Sequence, residues 1–480
     1  MSNPILDRWL RVVSGGNGPA IYGPLGEVER TFADIQAEAE VLAGRLPDRP
    51  GAVALQTGNH ESFPALLLAT WGAGRTACLF DSELQGEARA GIERELGVTV
   101  RIRIENGHPE FEMTGPSGIS REGVDLYKLT SGTASRPRPI GFTAGQLMAD
   151  CDHICGTMGI LADDLNFGVI AFSHSYGFSN LVTPLLCRGV RLVVAPDALP
   201  RAIASGLGAT GATVLPAVPA LFRGLLSASA LPETLRLCIS AGAPLDPAIG
   251  KEFHARFGRK IHTFYGASEC GGICYDGAEE IIGEPGFVGH PLAGVRVEMV
   301  AVDPNGLSQS GMAVAVISSG EDHRRDADAT SKVPLRLSPF KAALPSRIRI
   351  RSDAVGIEGG VFEPADLLVC DERGFWIVGR ESDQINVAGK KVNPGEIERV
   401  IAGAPGVREV VVCGVEDPAR GHEICALVAG EGDAAELRRH CRSLLVPWKI
   451  PRRFVFVSEL PTNARGKVSR KEIARMFFAS

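Results

Sequence analysis

The chain has 480 residues, 45% hydrophobic and 22% charged, enough to bury large cores and to form two to four domains. A formal charge of −6 argues against a nucleic-acid partner, because duplex binding needs a basic face that displaces counterions. The opening residues lack a basic-then-apolar leader, and the longest apolar run, FPALLLATW, is far short of the roughly 20 residues that cross a bilayer, so a cytoplasmic protein with no transmembrane segment is expected.

From residue 124 to 266 short β-type runs alternate with helical patterns. The strand candidates are VDLYKL, FGVIAF, VRLVVA, ATVLPAV, LRLCIS and IHTFYG, and most gaps are long enough for a helix crossing back over a parallel sheet. That alternation is α/β architecture. A helix is expected to start at Thr143, with Gln146 as its capping-box partner. GLGATG, Gly206 to Gly211, matches a dinucleotide fingerprint letter for letter, but a helical pattern precedes it and a strand follows, the reverse of what that fingerprint needs.

After about residue 285 the texture changes to hairpin-like strands and a charged stretch, SSGEDHRRDADATSK, that reads as an exposed loop. CDERGFW reads as a tight turn. A final segment of about 100 residues follows FWIVGR, with strand and helix signals in VREVVVCGV and AAELRRHCRSLL. From Arg438 onward it holds eleven Lys or Arg against two Glu, either a hydrated face or a landing surface for a phosphate or an acidic partner. The eleven cysteines of the chain lack two-residue spacing, the closest pairs being Cys151/Cys155 and Cys270/Cys274, so buried reduced thiols are expected rather than a metal knuckle.

One stretch carries chemistry in its composition. In YKLTSGTASRPRPIG a strand exits into Thr130, Ser131, Gly132 and Thr133, which offer hydroxyls and a closely approachable backbone, either an anion-binding concavity or an ordinary polar turn. No Walker-type G-x-x-x-x-G-K-[ST] occurs in the chain.

Together with FYGASE, GRESDQINVAGKKVNPGEIE and PTNARGKVSRKEI, in that order, this stretch resembles the signature blocks of the adenylate-forming superfamily, which includes acyl-CoA synthetases, aryl-CoA ligases and nonribosomal-peptide adenylation domains. The resemblance implies an α/β fold: a large multi-layer N-terminal domain with mostly parallel sheets over residues 1–380, binding ATP and the acid, and a small mobile α+β C-terminal lid over 381–480. It also implies a reaction. A carboxylic acid attacks Mg-ATP to give an acyl-adenylate and pyrophosphate, and the acyl group passes to the thiol of CoA or of phosphopantetheine on an acyl carrier protein. A carboxylate attacking a polyanion needs cations and aligned donors where negative charge gathers.

Residue by residue, the resemblance makes Thr130, Ser131, Gly132 and Thr133 the β- and γ-phosphate binders, although Ala134 to Pro139 depart from the usual T-G-x-P-K-G and leave Arg138 as the cation. Gly242, Ala243 and Pro244 of SAGAP form the adenine-facing wall. Tyr265 stacks on adenine, Gly266 beside it belongs to the nucleotide-binding turn, Ser268 lies near the α-phosphate, and Glu269 holds Mg²⁺. Asp366 accepts the ribose hydroxyls with Arg380 fourteen positions on, and Lys467 bridges the attacking carboxylate and the α-phosphate. Gly389 lets the pantetheine arm pass, and Glu396 belongs to a helix start as a capping-box residue.

His174 resembles the histidine bordering the acyl pocket, and AFSHSYGFSNLVTPLL around it contains no acid, which disfavours an α-amino acid. Phe178, Val218, Ala241, Ala267, Gly271 and Gly272 as further wall residues suit a fatty or aryl acid. Two other readings stay open: an acyl-adenylate ligase with a non-CoA acceptor, and a nucleotide-binding protein that has lost catalysis.

Overall fold

The computed structural model describes residues 3–115, 123–130, 137–195, 198–300, 313–318, 345–356, 360–387, 390–417, 421–461 and 468–478. Contacts divide the chain into two units, one built on Met1–Glu298 with Arg349–Phe362 and the other on Glu363–Ser480, the stretch between being shared.

The first unit contains two sheets. In one, Pro19–Tyr22, Arg191–Val194, Leu165–Gly168, Val214–Ala217, Leu237–Ser240 and Ile261–Ala267 lie side by side and parallel, in that spatial order. Val28–Thr31 flanks this run antiparallel at one side, and Gly271–Tyr275 then Phe287–Pro291 continue it antiparallel at the other. The parallel strands read as near-continuous apolar runs because helices cover them; Phe167, Val193, Leu215 and Cys238 pack with Ile203, Leu207, Phe222 and Phe253 from the crossover helices. In the second sheet Ala52–Gln56 lies parallel to Ala77–Leu79 and to Val98–Glu105, and Ala77–Leu79 lies parallel to Leu126–Thr130. Leu126–Thr130 and Arg138–Phe142 close that side as an antiparallel pair.

Local signals explain several boundaries. Thr143 caps the helix Ala144–Met158 and exchanges hydrogen bonds with Gln146, the expected capping box. The fingerprint-like glycines lie at the end of the helix Pro200–Thr210, with the strand Val214–Ala217 after them. A Cβ at Gly206 would lie 2.7 Å from the Phe167 ring, so this glycine serves helix–sheet packing.

In the second unit Asp366–Asp371 and Gly374–Arg380 form a hairpin whose tight end is Asp371 opposite Gly374. A separate sheet contains Ile385–Val387, Lys390–Val392, Val407–Asp417, Gly421–Gly430 and Arg453–Val457. Alternation along Val407–Asp417 sends Val412 to one face, with Ile397, Ile401, Leu437 and Cys441 of the helices Pro394–Ala402 and Ala434–Leu444. It sends Val411, Cys413 and Val415 to the other, with Ile473 and Phe477 of the helix Arg470–Phe478.

Asn393 caps the helix Pro394–Ala402, its side chain accepting from the Gly395 amide. Glu396 departs from the expected capping box: both its carboxylate oxygens accept from Lys449 Nζ, at 2.7 and 2.8 Å, a role that remains structural but by a different partner. All eleven cysteines are unpaired and ten are buried. The charged stretch 319–332 lies outside the described residues.

Candidate active site

Strand exits in the first unit carry the candidate residues, as expected where parallel strands end together. Leu165–Gly168 leads into His174, Val214–Ala217 into Val218, Leu237–Ser240 into Gly242, and Ile261–Ala267 into the turn of Ser268 and Glu269. Side chains from the second sheet join the same exits. Asn59, just beyond Ala52–Gln56, donates to the carbonyls of Gly168 and Ile170 and accepts from the Phe172 amide. Asp81, just beyond Ala77–Leu79, places Oδ2 3.2 Å from Nε2 of His174.

Tyr265 is buried and its neighbour Gly266 has no room for a side chain, since a Cβ there would lie 2.7 Å from the Gly271 carbonyl. Gly242 has φ +85, a left-handed conformation that suits glycine, and Ala243 and Pro244 beside it are exposed. Ser268 and Glu269 are half-buried, and the Glu269 carbonyl accepts from the Gly356 amide at 2.8 Å. Thr130 donates from its hydroxyl to the Arg138 carbonyl at 3.3 Å. Ser131, Gly132 and Thr133 lie outside the described residues.

Four of the six expected acid-pocket residues, Phe178, Ala241, Gly271 and Gly272, lie in the packed interior. Phe178 is fully buried, and Gly271 and Gly272 pack on the Asp150 carboxylate, which accepts from the Gly272 amide at 2.9 Å. Tyr176 is a residue that sequence reasoning missed. Its hydroxyl donates to the Ile239 carbonyl at 2.9 Å, its ring lies 6.0 Å from that of Phe264, and burial holds its phenol well above the ordinary value, so it stays a donor.

In the second unit Asp366 and Arg380 are direct cross-strand neighbours, and Arg380 Nε donates to Asp366 Oδ1 at 2.7 Å. The fourteen-residue spacing therefore closes a complete ion pair. Gly389 and Lys467 lie outside the described residues. A groove of about 690 Å³ in this unit is lined by Arg438, Arg442, Arg452, Trp448 and His422 among others.

No group of three or more metal-ligating side chains occurs among the described residues. A lone carboxylate such as Glu269 still fits magnesium, which keeps most of its water and binds through one or two carboxylates plus substrate phosphates. Also among the described residues, no helix is long and apolar enough to cross a membrane.

The AMP-binding enzyme model matches residues 126–313, and the AMP-binding enzyme C-terminal domain matches 396–467, together more than half of the chain. The chain belongs to the adenylate-forming, AMP-binding enzyme family. A mitochondrial malonate–CoA ligase of Mus musculus is 27% identical over 401 residues, covering 78% of this chain and 67% of its own. A 2-succinylbenzoate–CoA ligase of Bacillus mycoides is 26% identical over 379 residues, covering 77% of this chain and 73% of its own. In fold, this AMP-binding enzyme is similar to o-succinylbenzoate CoA synthetase from Bacillus subtilis in complex with its acyl-adenylate, with a TM-score of 0.76, 20% identity and 98% of each chain covered.

The sequence of this AMP-binding enzyme does contain a signal for one further missed residue, Lys128. A single lysine inside the apolar run of a strand paired on both sides must either find buried partners or break the strand.

Proposed function

We propose that the protein is an ATP-dependent acid–thiol ligase acting on a small carboxylic acid of fatty or aryl type. A carboxylate oxygen of the substrate attacks the α-phosphorus of ATP, the bond from that phosphorus to the bridging oxygen breaks, and pyrophosphate leaves. A thiol then attacks the acyl carbon and AMP departs. In this reading Tyr265 and Gly242 to Pro244 hold adenine, Asp366 and Arg380 the ribose, and Thr130 to Thr133 the outer phosphates. Lys467 offsets charge at the α-phosphate, and His174, oriented by Asp81, borders the acid. Magnesium, held by Glu269 on the phosphate oxygens, would supply neutralising charge.

The observation that carries this reading is the set of parallel strands whose exits bear His174, Gly242 and the turn to Glu269, in a chain that also keeps the Asp366–Arg380 pair. The functional division falls between residues 380 and 381, and the enzyme acts in the cytoplasm. Acid-dependent exchange of labelled pyrophosphate into ATP is the test, run over fatty, aryl and amino acids. Exchange with an apolar acid is expected; its absence with every acid would leave only a nucleotide-binding protein.

CoA is the favoured acceptor. The groove of Arg438, Arg442, Arg452 and Trp448 offers cations and an aromatic face, which suit the phosphorylated adenosine of CoA. Arg442→Glu is expected to raise the KM for CoA about tenfold while leaving pyrophosphate exchange unchanged, for the loss of roughly one charge-assisted contact. A thioester formed only on a holo-carrier protein would transfer the acceptor role to that partner, and no thioester with either would favour a non-thiol acceptor.

A further inference from the structure

The described residues include an ammonium shut away from water. Lys128 is 1% exposed, although it lies only two positions before Thr130. Its Nζ lies 3.3 Å from Ser179 Oγ and 3.4 Å from Ser175 Oγ, with the rings of Phe142 and Phe178 at 4.8 and 5.2 Å. The Ser179 hydroxyl donates onward to Asp150 Oδ2 at 2.5 Å, and Asp150 Oδ1 accepts from the Gly272 amide at 2.9 Å. Ser179 and Asp150 are themselves buried.

Each end of this polar chain belongs to a segment of the candidate site. Lys128 is on the strand that leads into the hydroxyl-rich exit. Ser175 and Ser179 follow His174, in a short stretch that includes a π-helical turn at Phe178–Val182. Gly271 and Gly272 follow Glu269, and a Cβ at Gly271 would lie 2.0 Å from Asp150 Oδ1, so the carboxylate occupies the space of a side chain. An apolar residue at 128 would avoid the cost of desolvating a charge, and such exchanges are often neutral or stabilising. Packing therefore does not account for a lysine here.

We propose that Lys128 is a positioning residue for acid activation: through Ser179 and Asp150 it locks the phosphate-binding strand, the segment after His174 and the turn bearing Glu269 into one arrangement. The proposal rests on the ATP-dependent reading above. Burial lowers the ammonium's pKa, opposed by the Asp150 carboxylate; the nearby Cys270 thiol, pushed well above its ordinary value by burial, stays neutral. The charge that faces the Asp150 carboxylate is thus present while Lys128 is protonated, and the lock weakens as pH rises through a value below the ordinary lysine range.

The test measures pyrophosphate exchange against pH, together with melting temperature, for the wild type, Lys128→Met and Ser179→Ala. Lys128→Met is expected to melt at or above the wild-type temperature, to lose roughly 10- to 100-fold in kcat with the KM for ATP changed by less than about threefold, and to lose the alkaline limb of the pH profile. Ser179→Ala is expected to lose kcat and to flatten that limb, because the route from Lys128 to Asp150 runs through its hydroxyl. A folded Lys128→Met with wild-type kcat and the same limb overturns the proposal. If that variant does not fold, Ser179→Ala decides, and wild-type kcat there overturns it equally. If the wild type itself shows no exchange, the ATP-dependent reading has failed, and hydrogen exchange of the Gly272 amide becomes the measure: faster in Ser179→Ala supports the lock, unchanged refutes it.

Discussion

Lys467→Ala is expected to lower acid-dependent pyrophosphate exchange at least about a thousandfold while ATP still binds, because a cation at the α-phosphate acts mainly on charge that gathers in the transition state. The carboxylate and the triphosphate repel each other on approach, and no neutral side chain offsets that repulsion. Binding draws on many other contacts and tolerates the loss. Lys449→Ala is the control: it removes one positive charge from the same unit, but its ammonium is engaged by Glu396 at 2.7 Å. It should leave exchange nearly intact. A Lys467→Ala enzyme that exchanges pyrophosphate at the wild-type rate would remove this lysine from the mechanism.

Asp366→Asn should raise the KM for ATP about 30-fold, the equivalent of about 2 kcal/mol for a carboxylate that accepts hydroxyl donors. The sharper readout is sugar discrimination. The wild type should prefer ATP to 2′-deoxy-ATP, and the variant should lose most of that preference. Folding should suffer little, because asparagine keeps the shape of the buried Asp366 side chain and can still accept from Arg380, which is more than half exposed. Unchanged discrimination would place the ribose elsewhere.

Much of this could be read from the chain itself, for reasons that differ by element. Of the seven strands between residues 124 and 266, six are expected from short apolar and β-branched runs, most of them set apart by helix-length gaps; five lie within two residues of their expected bounds, FGVIAF ends four residues too late against Leu165–Gly168, and Arg138–Phe142 gives no such run. The cap at Thr143 and the tight turn after Asp371 are local chemistry, fixed by neighbours two or three positions away. What escaped depends on distance along the chain. Asn393 to Glu396 has capping spacing, yet Glu396 is claimed by Lys449, 53 positions on. Asp81 meets His174 only because two separate sheets end together, and no spacing rule reports that. The interior position of Phe178 and Gly272 follows from Lys128 and Asp150, whose alignment depends on how a helix lies over a strand.

The strand Val407–Asp417, with apolar residues feeding a separate filling on each side, has a further consequence. A sheet with a filling of its own on each face is expected to hold together when severed, so a fragment carrying residues 385–478 should fold by itself, which its far-ultraviolet circular dichroism and melting would show. Such a piece could be exchanged by recombination without rebuilding the interior of the rest of the chain.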